Sequence, residues 1–181
     1  IMQNTSLPVI CLTKSIFEDG FVRITGSFAE VEALLKINAT FIAVDGTYRI
    51  REKQYTGPDY IKKIKKMYPK ILVMADIATS QEAFACYEAG ADCISTTLCG
   101  YTPDTVFVNQ EYPSFSLLEE CIKFVPRDFP IMAEGRFNKP EYAAQAIENG
   151  AWAVIVGTSI TRPQIITRWY VNAIKKKVGQ I

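Results

Sequence analysis

Residues 151–163, Ala-Trp-Ala-Val-Ile-Val-Gly-Thr-Ser-Ile-Thr-Arg-Pro, decide how the rest of the chain is read. Trp152 to Val156 is a short apolar run rich in β-branched residues, the pattern of a strand buried on both faces in a parallel sheet. It breaks at Gly157-Thr158-Ser159, and Pro163 opens an amphipathic segment. A glycine turn between a buried strand and a helix start points backbone N–H groups outward with nothing to block an anion. Arg162 stands beside that turn and carries the planar fork that clamps a phosphate with two hydrogen bonds. An ordinary strand-to-helix turn with a surface arginine fits the same letters.

The same unit recurs through the chain. Leu7 to Lys14 (LPVICLTK) reads as a buried strand ending in a lysine, and Ser15 to Thr25 as a polar loop. Ser27 caps a helix over Phe28–Lys36, with Glu30 completing a capping box. Thr40 to Val44 is a strand, and Pro58 opens a helix to about Tyr68 with Tyr60, Ile61, Ile64 and Met67 inward. The strand Ile71–Met74 leads to a helix capped by Ser80 and stopped by Gly90. Then come the strand Cys93–Thr97, a helix from about Phe115 to Val125, and the strand Pro130–Ala133. The helix Lys139–Asn149 stops at Gly150, and a last helix runs from Pro163 to about Lys176.

Strand then helix, repeated with short loops, predicts a parallel sheet covered by helices. The join Ala89-Gly90-Ala91-Asp92 returns as Asn149-Gly150-Ala151-Trp152, like the repeat of a (β/α)8 TIM-type barrel. Such barrels need about 200 or more residues. About six of eight β-α units are therefore expected in one domain over residues 1–181, with the first two units missing ahead of Ile1. An open doubly wound sheet is the alternative.

Composition narrows the chemistry. Of 181 residues, 49% are hydrophobic and 22% charged, enough apolar mass for a core. The formal net charge is +1, which argues against a nucleic-acid partner held by charge. Lys62, Lys63, Lys65 and Lys66 read as a solvated helix face. Five cysteines without a CxxC pair suit a reducing compartment, the cytoplasm. With no histidine, a His triad or His-ligated metal is excluded, and acid–base work falls to Lys, Asp, Glu, Tyr or Cys. There is no signal-peptide pattern and no apolar run long enough to cross a bilayer.

In parallel α/β folds the C-terminal strand ends form the active face. Those ends carry Lys14, Asp45, Asp76, Thr96 and Thr97, Glu134, and Gly157-Thr158. A lysine ending an apolar strand, partly desolvated, loses affinity for its proton. Such a lysine can take a proton from carbon beside a carbonyl or form a Schiff base. Glu134 fits as partner acid or as the group that holds the lysine; Asp76 fits as a holder of substrate hydroxyls or of the lysine. A salt bridge or strand-end cap is the plain alternative for each, and Arg136 fits either a phosphate or solvent.

Taken together, LPVICLTK (7–14), FIAVDGT (41–47), VMADIAT (73–79), ISTTLCGYT (94–102), PIMAEGR (130–136) and VGTSITRP (156–163) resemble the N-acylglucosamine-6-phosphate 2-epimerase family over essentially the whole chain. The resemblance implies a phosphate-binding (β/α)8 barrel without metal or organic cofactor, acting on a phosphorylated N-acyl amino sugar in sialic acid and amino-sugar catabolism. It implies Lys14 as the catalytic lysine and Glu134 as its acid/base partner. It places Asp76 in the substrate site, Gly135, Arg136, Gly157 and Thr158 in phosphate-cradling loops, and Arg162 near the phosphate. A fragment that only binds phosphosugar or other chains, or a Schiff-base aldolase, are the alternatives. A homodimer is compatible with the sequence, which shows no interface.

Overall fold

A computed structural model describes residues 4–108 and 110–178. Six strands make one parallel sheet: β1 (Ile10–Cys11), β4 (Phe41–Asp45), β5 (Leu72–Asp76), β6 (Cys93–Ser95), β7 (Ile131–Glu134) and β8 (Ala153–Ile155), side by side in that order. Between them run α1 (Phe28–Lys36), α2 (Gly57–Met67), α3 (Ser80–Glu88), α4 (Phe115–Phe124) and α5 (Pro140–Glu148). The short α6 (Thr158–Thr161) and the long α7 (Pro163–Val178) follow. A doubly wound sheet turns back on itself at a switch point. Here the strand order never reverses, so the winding is that of a (β/α) barrel and the doubly wound alternative falls.

Side chains alternate across a strand, so each strand supplies two sets. Ile42, Val44, Val73, Ala75, Ile94, Ile131 and Ala133 pack outward against the helices, with Tyr60, Ile61 and Ile64 of α2 and Leu117, Leu118 and Cys121 of α4. Ala43, Met74, Cys93 and Met132, of the opposite parity, form a second cluster with Ile24 on the inner face. Asp76, Ser95 and Glu134 continue the inner parity at the strand ends.

Helix stops and starts follow local chemistry. At Gly90 (φ 93°) and Gly150 (φ 99°) the chain enters the left-handed region that costs glycine least. Gly90 N–H donates to Tyr87 O and Ala91 N–H to Cys86 O, while Gly150 and Ala151 repeat the pair on Ile147 and Ala146. These are the paired bonds of a Schellman stop. Asp92 N–H and Trp152 N–H then donate to Val73 O and Ile131 O, sending both chains straight into the sheet.

Several expectations change. Leu7–Lys14 is not one buried strand: β1 stops at Cys11, Leu7 is 73% exposed, and Lys14 opens β2 (Lys14–Ile16), antiparallel to β3 (Val22–Ile24). Thr25 N–H donates to Thr13 O and Thr13 N–H to Thr25 Oγ1, drawing the chain out of the sheet into this hairpin, where a loop was expected over 15–25. β8 is a partly buried edge strand rather than one buried on both faces. Among the described residues it pairs with β7 alone, and Trp152 is 67% exposed. Met67 faces solvent at 42% exposure, while Tyr60, Ile61 and Ile64 are buried as expected. The cap of α3 is Thr79, boxed with Glu82, while Ser80 Oγ donates to Glu120. Ser27 and Glu30 form the expected box on α1.

Candidate active site

The inner-face parity that puts Met74, Cys93 and Met132 in the core puts Asp76, Ser95 and Glu134 at the ends of three neighbouring strands. Thr97, two residues beyond Ser95, joins them. Thr97 Oγ1 lies 2.8 Å from Asp76 Oδ1, 2.8 Å from Glu134 Oε2 and 2.7 Å from Ser95 Oγ. Ser95 Oγ lies 3.0 Å from the same Glu134 oxygen. Thr96, pointing the other way, clamps the strand end: its hydroxyl donates to Glu134 O and accepts Glu134 N–H. Glu134 is thus fixed through both backbone and side chain.

Asp76 is 1% exposed. Burial, then the charge of Glu134, pushes its carboxyl well above the usual carboxylate range, against the Thr97 hydrogen bond and the charge of Lys14. The family resemblance implies Asp76 in the substrate site. The structure sets it behind Thr97, outside the lining of the cavity in front of Glu134.

That cavity measures about 1060 Å³. Lys14, Thr97, Glu134, the Gly135-Arg136 turn, Gly157-Thr158 and Arg162 all line it. Lys14 reaches it from the hairpin, and its side chain is exposed rather than desolvated at a strand end. Ser159 Oγ donates to Phe137 O at 2.8 Å, binding α6 to the loop after β7, so both glycine turns border one space. Gly157 precedes α6, and an added Cβ there would meet no protein atom within 4 Å.

The arginines divide. Arg162 is exposed, and among the described residues its guanidinium has no hydrogen-bond or ion-pair partner. Arg136 is committed elsewhere: it donates to Cys99 O at 2.9 Å and to Gln110 Oε1 at 2.6 Å, and lies over the Tyr101 ring at 4.8 Å. It braces the rim of the cavity that Gly135 and Arg136 line. Asp45 is also committed, fully buried against Arg49 Nη2 at 2.6 Å, Arg51 Nη2 at 3.3 Å and the Thr47 hydroxyl at 2.7 Å. For Asp45 the salt-bridge alternative is the one realised.

Sequence reasoning passed over Ser95 and did not tie Thr97 to Glu134. The signal was present: residues 93, 95 and 97 share one face, as do 132 and 134. Among the described residues no group of three or more His, Cys, Asp and Glu is arranged to hold a metal ion, and no helix is long and apolar enough to cross a membrane.

A family model described as "Putative N-acetylmannosamine-6-phosphate epimerase" matches residues 1–176. A protein of Caldanaerobacter subterraneus subsp. tengcongensis described as "Putative N-acetylmannosamine-6-phosphate 2-epimerase" is 42% identical over 177 residues, 98% of this chain and 73% of the relative. A namesake from Clostridioides difficile is 41% identical over 175 residues, 97% of this chain and 76% of its own. The solved N-acetylmannosamine-6-phosphate 2-epimerase of Clostridium perfringens superposes with a TM-score of 0.83 at 37% identity, covering 94% of this chain and 72% of that one. With its strand order, its lysine and glutamate on one cavity and these matches along its length, the chain belongs to the N-acetylmannosamine-6-phosphate epimerase family.

Proposed function

We propose that this chain interconverts N-acetylmannosamine 6-phosphate and N-acetylglucosamine 6-phosphate, a step of sialic acid and amino-sugar catabolism. The observation that carries this reading is the convergence of Lys14, Glu134 and both glycine turns on one cavity. Ring opening of the sugar exposes the C1 aldehyde and makes the C2 proton acidic. Lys14 takes that proton, and the C–H electron pair passes into an enolate. A proton returned to the opposite face, from Lys14 or Glu134, restores the C–H bond and inverts C2. Gly135, Arg136 (through its backbone), Gly157 and Thr158 cradle the phosphate, and Arg162 pairs with it. The four buried cysteines stand as thiols, in keeping with a cytoplasmic enzyme. A homodimer is the second part of the proposal: α7 has no buried residue and leaves Trp169, Tyr170 and Ile174 exposed, and sedimentation would read the pairing.

The test is proton exchange. The chain is incubated with N-acetylmannosamine 6-phosphate in deuterium oxide and C2 is followed by NMR. Exchange with growth of the gluco isomer, abolished in Lys14→Ala, is the expected result. Silence from the unmodified chain overturns the assignment.

A further inference from the structure

Protons can be counted around Glu134. The contacts Ser95–Thr97, Ser95–Glu134, Thr97–Glu134 and Thr97–Asp76 are all 3.0 Å or shorter between oxygens. Each needs a hydrogen between its atoms. The two hydroxyls supply two hydrogens, and an ionised carboxylate supplies none. With both carboxylates charged, Thr97 Oγ1 can point its hydrogen at one of them and must face the other bare at 2.8 Å. A single carboxyl proton removes the clash at the carboxylates. Asp76 then donates to Thr97, Thr97 donates to Glu134, and Ser95 donates to Glu134; three of the four contacts carry a hydrogen, and the uncharged Ser95–Thr97 pair is the one left without.

We propose that Thr97 is a positioning residue whose hydroxyl holds one proton in common between Asp76 and Glu134, making Asp76 a buried proton store for Glu134. This rests on the epimerase reading. Asp76 is the member that carries the proton at rest, because it is 1% exposed and Thr97 is its one side-chain hydrogen-bond partner among the described residues. Glu134 is half-buried and lines the cavity. The groups around Asp76 agree. Asp45 on β4 and Glu134 on β7 disfavour its ionised form, and Lys14 from the hairpin opposes them. The Cys93 thiol on β6 is pushed up to about 12 by burial and adds no charge at neutral pH.

The transfer balances. When Glu134 needs a proton, the Thr97 O–H bond breaks as a new O–H bond forms on Glu134 Oε2. The Asp76 O–H bond breaks as the Thr97 hydroxyl re-forms. Two O–H bonds are broken and two made, and one negative charge moves from Glu134 to Asp76. In the opposite direction of epimerisation Glu134 receives the C2 proton, and the same path runs backward to refill Asp76. Between turnovers in one direction, exposed Lys14 releases its proton to solvent and Glu134 takes one up at the cavity, which passes back through Thr97 to Asp76.

The test uses the whole chain and N-acetylmannosamine 6-phosphate. Thr97→Val keeps the branched shape without the hydroxyl; it is expected to lower kcat about 100-fold with KM changed less than about threefold. Thr97→Ser is expected to recover kcat to within about tenfold of the unmodified chain. Asp76→Asn still offers Thr97 a donor but has no proton to release, so it is expected to fall with Thr97→Val and to alter the pH–rate profile. A neutral bolt that merely holds Thr97 would leave Asp76→Asn at the original kcat, which overturns the proposal, as does a Thr97→Val effect confined to KM. A second readout needs neither activity nor a variant: carbon-13 NMR of aspartate-labelled chain should show Asp76 as the neutral acid at pH 7, and a carboxylate resonance there overturns the proposal. A chain that catalyses no C2 exchange yet shows the neutral acid would refute the epimerase reading while upholding the shared proton.

Discussion

Glu134 shows what a single position inherits from its neighbours. Its strand sets its parity, Thr96 fixes its backbone, and Ser95 and Thr97 hold one carboxylate oxygen. Such placement was legible in the letters, because polar residues closing apolar strands in a parallel sheet gather at one end. The commitments of Arg136, Arg49 and Arg51 were not legible, since they depend on which loops fold back. Arg162, on the cavity and without a side-chain partner among the described residues, should matter for binding: Arg162→Ala is expected to raise KM about 10- to 100-fold with a smaller change in kcat, as for loss of a charge-assisted bond. Asp45→Ala would strand two guanidiniums in the interior, and urea unfolding should show a loss of about 3–5 kcal/mol. Asp76 should tie stability to pH. Its folded pKa is raised, so the native state keeps a proton that the unfolded chain releases above pH about 4. Its contribution is therefore present at low pH and is lost as pH rises toward the folded value, and Asp76→Asn should remove that slope from unfolding curves measured across pH.

Helices were the most readable elements. The Ser27 box and the two glycine stops are local, each written within about six residues. Gly90→Ala would keep free space, with Lys65 Cγ 3.8 Å away, but would force a left-handed alanine, and thermal unfolding should show a loss of about 1–2 kcal/mol. Gly57 differs: it starts α2 pressed on the backbone of Gly46, and a Cβ there would strike that backbone. Gly57→Ala should therefore cost more than Gly90→Ala in the same measurement. The hairpin was the least readable element. β2 and β3 have three residues each, Lys14 pairs with Ile24 across the turn, and the apolar letters of Leu7–Leu12 stop one residue short of β2. Three residues are too few to show the alternation that marks a strand.

At the scale of the molecule, the strand order and the two-sided core were foreseeable from the repeat, and the edge position of β8 was not. An apolar sequence does not say how many neighbours its strand will have. Burial also protects the thiols: Cys121, like Cys93, is pushed up to about 12. Cys86, Cys93, Cys99 and Cys121 should resist a disulfide reagent in the native chain and react together on unfolding, which a spectrophotometric thiol count would show. The hairpin has a kinetic meaning. Lys14, the proposed base, and Glu134, its proposed partner, sit on two different sheets, and two-stranded ribbons are marginal alone. Local opening of β2 and β3 needs no rupture of the main sheet. Their amides should exchange with solvent sooner than those of β4 and β5, and on heating, catalysis should fade before the global melt, because the base swings out of register while the barrel strands still hold.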